Sequence, residues 1–145
     1  MWTERFSEGA DPISAIEPQS VNATTVNSTV YGDMQRYHRA VAILHVGAIG
    51  DTITVDFQIE QATASDGTGA KAITDKSITQ LTTENDNAIV VIELRSDELD
   101  SENGFTFAGI EVTTANGAVI LSAVLYGIVP RYSPVPTTNW QEIVD

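Results

Sequence analysis

The sequence contains no cysteine, two lysines and few aromatic residues. The absence of cysteine excludes disulfide bonds, thiolate zinc sites and a cysteine nucleophile. Lys71 and Lys76 are the lysines, and five arginines are scattered along the chain. Seven basic residues stand against twenty acidic ones, which gives a net charge of −13. Because nucleic-acid binding needs clustered cations that displace counterions from phosphates, we expect no direct contact with nucleic acid.

Long apolar runs are also missing. No run approaches the roughly 18 residues that a membrane-spanning helix needs, so no membrane partner is expected. With 145 residues and 42 % hydrophobic content, the chain has the size and composition of one globular domain. The strong acidity either keeps the protein soluble or complements a basic protein surface.

Strand patterns dominate the first half of the chain. Residues 51–61 alternate apolar and polar side chains, which predicts a strand with one buried face. Residues 39–46 are apolar at both parities, which predicts a central strand covered on both sides. The glycine-bearing link 47–50 predicts a hairpin between these two strands. Residues 88–95 predict a further buried strand.

A second strand pair is predicted near the end of the chain. Residues 105–114 and 118–129 are both strand-like, and Asn116-Gly117 between them predicts a hairpin turn. The apolar parity of the first of these strands changes at Ala108-Gly109, which predicts a β-bulge there. No segment shows a sustained helical period. The fold class is therefore all-β, an antiparallel β-sandwich or a jelly-roll-like barrel.

The two ends of the chain differ from this middle part. We assign residues 28–132 to the sandwich, 1–27 to an extended N-terminal arm and 133–145 to an extended C-terminal arm, because both ends contain prolines without clear periodicity. Such arms either fold back on their own sandwich or reach neighbouring subunits. The aromatic residues at the ends are the predicted partner-binding anchors: Trp2, Phe6, Tyr132 and Trp140.

No pattern indicates catalysis, so no catalytic residue, metal or cofactor is predicted and the chain is not expected to be an enzyme. His38 and His45 are seven residues apart and would face opposite sides of one strand, so they cannot form a metal site together. His45 is interpreted as a core or interface residue. Residues 67–71 lack the leading glycine of a phosphate-binding loop. Two acidic clusters, 84–86 and 97–102, match no fixed calcium cage and are interpreted as solvated turns.

Several segments occur in the order found in a known family. The chain resembles a family of small virion proteins that tailed bacteriophages encode beside their major capsid protein. The residues that support this resemblance are Tyr31-Gly32-Asp33-Met34, the run from Ile59 to Lys71, Ile78-Thr79-Gln80-Leu81-Thr82, Glu98-Leu99-Asp100, Asn103-Gly104-Phe105 and Pro130-Arg131-Tyr132-Ser133-Pro134.

This resemblance implies a β-sandwich bound to the capsid as a head decoration or cement protein. It further implies a homotrimer on the outer surface of the phage head, with the major capsid protein as partner. One alternative is a head–tail connector or a tail-associated adaptor. Another is a carbohydrate-binding module, which would present a row of exposed aromatic rings. The predicted polar strand face lacks such rings, since it consists of Thr54, Asp56, Gln58 and Glu60.

Overall fold

The computed structural model describes residues 4–144, so the predicted anchor Trp2 lies outside the described residues. The chain forms two antiparallel sheets packed face to face, which confirms the predicted all-β sandwich. One short helix, α1, precedes nine strands. Their bounds are α1 Phe6–Gly9, β1 Ala10–Asn22, β2 Thr25–Asn27, β3 Gly32–Asp33, β4 Tyr37–Val46, β5 Thr54–Ala62, β6 Lys71–Ser77, β7 Ile89–Arg95, β8 Phe107–Ala115 and β9 Ala118–Pro130.

The strands are divided between a four-stranded and a five-stranded sheet. Sheet A has the order β1-β9-β4-β7, and sheet B has the order β2-β8-β5-β6, with the two-residue β3 also paired to β8. The apolar core lies between the sheets. Leu44 and Leu125 enter it from sheet A, and Phe57 and Ile110 enter it from sheet B, all essentially inaccessible to solvent. Burial of these aliphatic and aromatic side chains is the main force that holds the sheets together.

The predicted N-terminal arm is mostly part of the sandwich. Residues 10–22 form β1 and pair with β9 along its length, and residues 25–27 form β2 in the other sheet. The assignment of 1–27 to an extended arm is therefore wrong for these residues. The pairing register of β1 shifts between Pro12 and Ser14 and again between Ile16 and Gln19. These two irregularities break the period of two, so the strand has no regular pattern in the sequence.

Both predicted hairpins are wrong. In each case the two consecutive strands belong to different sheets and do not pair with each other. β4 belongs to sheet A and β5 to sheet B, so the link 47–50 crosses the sandwich edge. Asn116 and Gly117 do form a tight turn with positive φ, yet β8 and β9 also lie in opposite sheets. The turn chemistry is local and was predicted, whereas the pairing partner of each strand is set by distant residues.

The predicted bulge at Ala108-Gly109 is also absent, since β8 pairs with β5 in continuous register through both residues. Gly109 is required at this position by packing rather than by a bulge. A Cβ atom on Gly109 would lie 2.4 Å from the ring of Tyr31, so the ring can cover the strand only where there is no side chain. The change in parity arises because Phe105 precedes the strand and Phe107, its first residue, is only half-buried, whereas the core side chains are even-numbered from Ala108 onward.

None of the helical segments within residues 4–144 has the length and apolar character needed to cross a bilayer.

Candidate partner-binding surface

The outer face of sheet A, turned away from the core, is largely apolar. The pairing register places Val91, Ile43, Val124 and Ala15 side by side on β7, β4, β9 and β1. They form one row across all four strands. Cross-strand neighbours of this kind pack against each other and shield part of their surface. Ile43 and Val124 are accordingly half-buried, although no second layer lies over them in the described part of the chain.

Val91 of this row and two further side chains on the same face of the sheet, Ile89 and Ile120, are well exposed. The exposed fraction is 61 % for Ile89, 53 % for Val91 and 69 % for Ile120. We call the set Ile43, Ile89, Val91, Ile120 and Val124 the apolar face. The sequence predicted a β4 strand covered on both sides, but its outer side chains have only each other for cover. His45 and Ser122 separate Ile120 from the rest of this face. Exposed apolar side chains gathered on one side of a sheet are typical of protein–protein contacts.

Arginines lie at the far end of the same sheet. Arg39 and Arg95 are directly opposite each other on β4 and β7. Arg95 forms an ion pair with Asp97 at 3.1 Å, and the guanidinium of Arg131 donates a hydrogen bond to Ser96 Oγ at 3.1 Å. Arginines that are scattered in the sequence are therefore neighbours in space, on the same sheet face as the apolar row. Like charges placed opposite each other are unfavourable unless anionic groups lie nearby.

Two of the predicted anchors lie together at the edge of this face. Phe6 contacts Tyr126 edge-on, with ring centroids 5.8 Å apart, and contacts Trp140 edge-on at 6.0 Å. Tyr126 and Trp140 are stacked at 6.0 Å. We call Phe6, Tyr126 and Trp140 the aromatic cluster. Tyr126 was missed in the sequence because it lies within a long apolar strand, where an aromatic residue is not conspicuous.

The other predicted anchors are not part of the aromatic cluster. Tyr132 is 83 % exposed and lines a separate shallow cavity with Arg36 and Pro136. Trp2 lies outside the described residues, so its predicted role stays a prediction.

The C-terminal segment folds back on its own sandwich. This is the first of the two alternatives given for the arms. Val135 is 3 % exposed, and its N–H donates to the carbonyl of Glu8. The side-chain amide of Asn139 donates to both carboxylate oxygens of Asp11, at 3.0 and 3.1 Å. Asp11 is itself buried and also accepts a hydrogen bond from the hydroxyl of Tyr37 at 2.7 Å. Burial and this carboxylate raise the pKa of Tyr37.

The outer face of sheet B has the opposite character. Asn27, Glu111, Gln58 and Ser77 form a polar row across β2, β8, β5 and β6. Asn27 donates to Glu60 Oε2 at 2.9 Å and to Glu111 Oε2 at 3.2 Å, so the two carboxyl groups lie side by side.

These two carboxyl groups perturb their surroundings. Burial, followed by the charge of Glu60, raises the pKa of Glu111. The hydroxyl of Tyr31 donates to Glu60 at 2.8 Å, and burial together with this carboxylate raises the pKa of Tyr31 to about 12. The aromatic rows expected of a carbohydrate-binding module do not occur along this polar row.

The histidines and the acidic residues near 97–102 form no metal site in the described part of the chain. His38 and His45 are both exposed. His45 is therefore not a core residue, and the other alternative, an interface residue, stays a prediction. Within residues 4–144 no group of three or more His, Asp or Glu side chains could hold a metal ion. The acidic residues near 97–102 bind cations of the chain itself: Lys76 lies 2.9 Å from Glu98, and Lys71 lies 2.7 Å from Asp100.

Comparison with known proteins gives the fold but no family. No family model and no curated protein matches the chain. The chain is similar to the crystal structure of the infectious bursal disease virus VP2 subviral particle, with a TM-score of 0.54 and 16 % identity over 91 % of this chain and 33 % of that one. It thus spans about a third of the VP2 chain.

It is also similar to the naturally occurring empty particles of cowpea mosaic virus, with a TM-score of 0.47 and 9 % identity over 94 % of this chain and 91 % of that one. At such identities these likenesses concern the fold alone. The fold of the sandwich is similar to that of part of the VP2 chain.

Proposed function

We propose that this chain is a non-enzymatic structural protein of a virion that binds a shell protein through the outer face of sheet A. The observation on which the proposal rests is the asymmetry of the sandwich, with an apolar outer face on sheet A and a polar, acidic one on sheet B. Ile89, Val91 and Ile120 are each more than half exposed on the outer face of sheet A, and such exposure is unfavourable unless another protein covers it. The capsid-type fold supports the same role.

The more specific proposal is a head decoration or cement protein of a tailed phage, with the major capsid protein as its partner. Its support is the sequence resemblance described above. Such a protein would bind the assembled shell and not the free subunits, and would stabilise the shell by an amount that grows with its affinity. The apolar face would supply the buried area, and the acidic face of sheet B would point outward and keep the particle soluble.

We place this contact on the sheet face rather than on the C-terminal segment. Removing residues 133–145 would test an extended arm, but here that segment covers Tyr126 and satisfies the buried Asp11. Its deletion would damage the sandwich as well as any interface. A substitution on the apolar face is the cleaner test.

The test is sedimentation of the full chain with phage heads assembled without it, followed by quantification of bound protein. We expect Ile120→Asp to lower the affinity at least tenfold, because an exposed isoleucine that becomes buried contributes about 2 kcal/mol. The matched control is Val30→Asp, since Val30 is 55 % exposed but lies outside the apolar face. Absence of binding by the native chain, or equal binding by both variants, would rule out the proposal. Cryo-electron microscopy of the particles then separates the head surface from the head–tail junction.

A further inference from the structure

Strand β7 forms an open edge of sheet A. It is the last strand in the order β1-β9-β4-β7, and in the described part of the chain no strand pairs with its outer side. Two of its side chains, Ile89 and Val91, are among the most exposed aliphatic groups of the protein. An open edge with exposed β-branched residues is a template for pairing with another strand.

The direction of the backbone groups on this edge follows from two contacts. The carbonyl of Ala88 accepts a hydrogen bond from the N–H of Val46, so even-numbered residues point toward β4. The carbonyl of Glu93 instead accepts from Lys76 Nζ at 2.9 Å, so odd-numbered residues point outward. Because successive residues of an antiparallel strand alternate in this way, the N–H and C=O groups of Ile89 and Val91 face the open edge.

Charge along β7 favours one particular partner. The turn before the strand contains Glu84 and Asp86, both exposed, and the strand ends at Arg95. A second β7 that runs antiparallel to the first would place each Arg95 near the acidic turn of the other copy. The edge is therefore complementary to itself under a twofold rotation, as an isologous interface requires.

We propose that β7 pairs with β7 of a second copy of this chain, and that the two four-stranded sheets join into one sheet of eight strands. Lys76 covers the edge at Glu93, which centres the pairing on Val90 and sets Ile89 opposite Val91 of the other copy. The apolar faces of the two copies then become one continuous surface.

This pairing goes beyond the proposed virion role and does not depend on it, since it concerns the isolated chain. It gives a dimer, whereas the family resemblance implies a homotrimer. Sedimentation equilibrium of the full chain distinguishes the two states. We expect a mass of twice 15.6 kDa. A mass of one or three chains, up to the solubility limit, would overturn the proposal.

Two sets of variants test the edge itself. Val91→Pro removes an outward N–H without touching the ladder to β4, so it should give a monomer with an unchanged circular dichroism spectrum. Val91→Ile keeps that donor and should stay dimeric. A Val91→Pro protein that is folded and dimeric would contradict the pairing.

Cross-linking gives an independent answer if Val91→Pro fails to fold. The chain has no cysteine, so a single Ile89→Cys substitution can be joined only to its own counterpart by a short bis-maleimide. In the proposed register the two Ile89 positions are diagonal neighbours, about 7 Å apart. The control is Ile120→Cys, at a position on the same sheet that is slightly more exposed than Ile89 but lies on β9. Equal cross-linking of both variants would exclude pairing at this edge.

Discussion

Asn139 donates both of its described hydrogen bonds to the carboxylate of Asp11, and so ties the last residues of the chain to the first strand of the sandwich. Asp11 is 2 % exposed. A buried carboxylate is stable only if hydrogen-bond donors replace the water it has lost. The C-terminal segment is thus held by a specific polar contact as well as by apolar packing.

Replacing Asn139 with alanine should release this segment. Asp11 keeps its bond to Tyr37 but loses the two from the amide, and we expect a loss of about 1–3 kcal/mol in the free energy of unfolding. Hydrogen exchange should rise in residues 133–144 and stay unchanged in β4 and β9. The control is Gln141→Ala, an exposed neighbour in the same segment. Unchanged exchange in Asn139→Ala would show that apolar contacts alone hold the segment.

Two substitutions of Trp140 should have different effects. Its Nε1–H is buried and has no acceptor within the described residues, while its ring stacks on Tyr126. Trp140→Phe keeps an aromatic ring and removes the unsatisfied donor, so stability should be unchanged or slightly higher. Trp140→Ala removes the ring and should cost about 2 kcal/mol. Urea denaturation measures both, and equal losses would mean that the indole N–H has a partner after all.

The stability of the protein should depend on Glu111 in a defined pH range. Its pKa is raised in the folded state, so the folded chain holds the proton to higher pH than the unfolded chain does. Stability therefore falls as the pH rises from the unfolded pKa through the folded one. Glu111→Gln removes this loss while its side-chain oxygen can still accept from Gln58. We expect a melting temperature above that of the native chain at pH 7 and no difference near pH 4.

The control for this experiment is Glu93→Gln, at an exposed carboxylate on the opposite sheet. Its melting temperature is the reference for the loss of one exposed negative charge. High salt should reduce the difference in melting temperature between Glu111→Gln and the native chain at pH 7, because salt partly screens the repulsion between Glu60 and Glu111. A gain of the same size at both pH values would exclude charge as its cause.

Strand positions were predictable where one face of a strand is buried and its register is regular. β5 follows its alternation of apolar and polar residues closely, and β4 and β8 lie near their predicted bounds. β1 was missed because two register shifts, near its prolines, disturb the alternation. Gly109 was misinterpreted for another reason, since the ring of Tyr31 that requires it comes from a distant segment.

The predicted anchors were placed with mixed success. Phe6 and Trp140 were singled out because an aromatic residue in a proline-rich end needs cover, and both contact Tyr126, although Phe6 stays 67 % exposed. Their common partner Tyr126 belongs to a strand, and the sequence gives no sign that its ring faces outward beside them. The role of these rings in binding another protein stays a prediction.

The sequence by itself determined the all-β class, the residues of the regular strands and the strong negative charge, because each of these depends on local composition or on a period of two. Only the tertiary structure decided which strands share a sheet, since that depends on contacts between distant segments. It also decided that no further sheet within residues 4–144 packs over the outer side chains of β4 and β9, and that Phe6 and Trp140 pack on Tyr126. Apolar residues at both parities indicate that both faces of a strand avoid water. They do not indicate whether the same chain or another one covers each face.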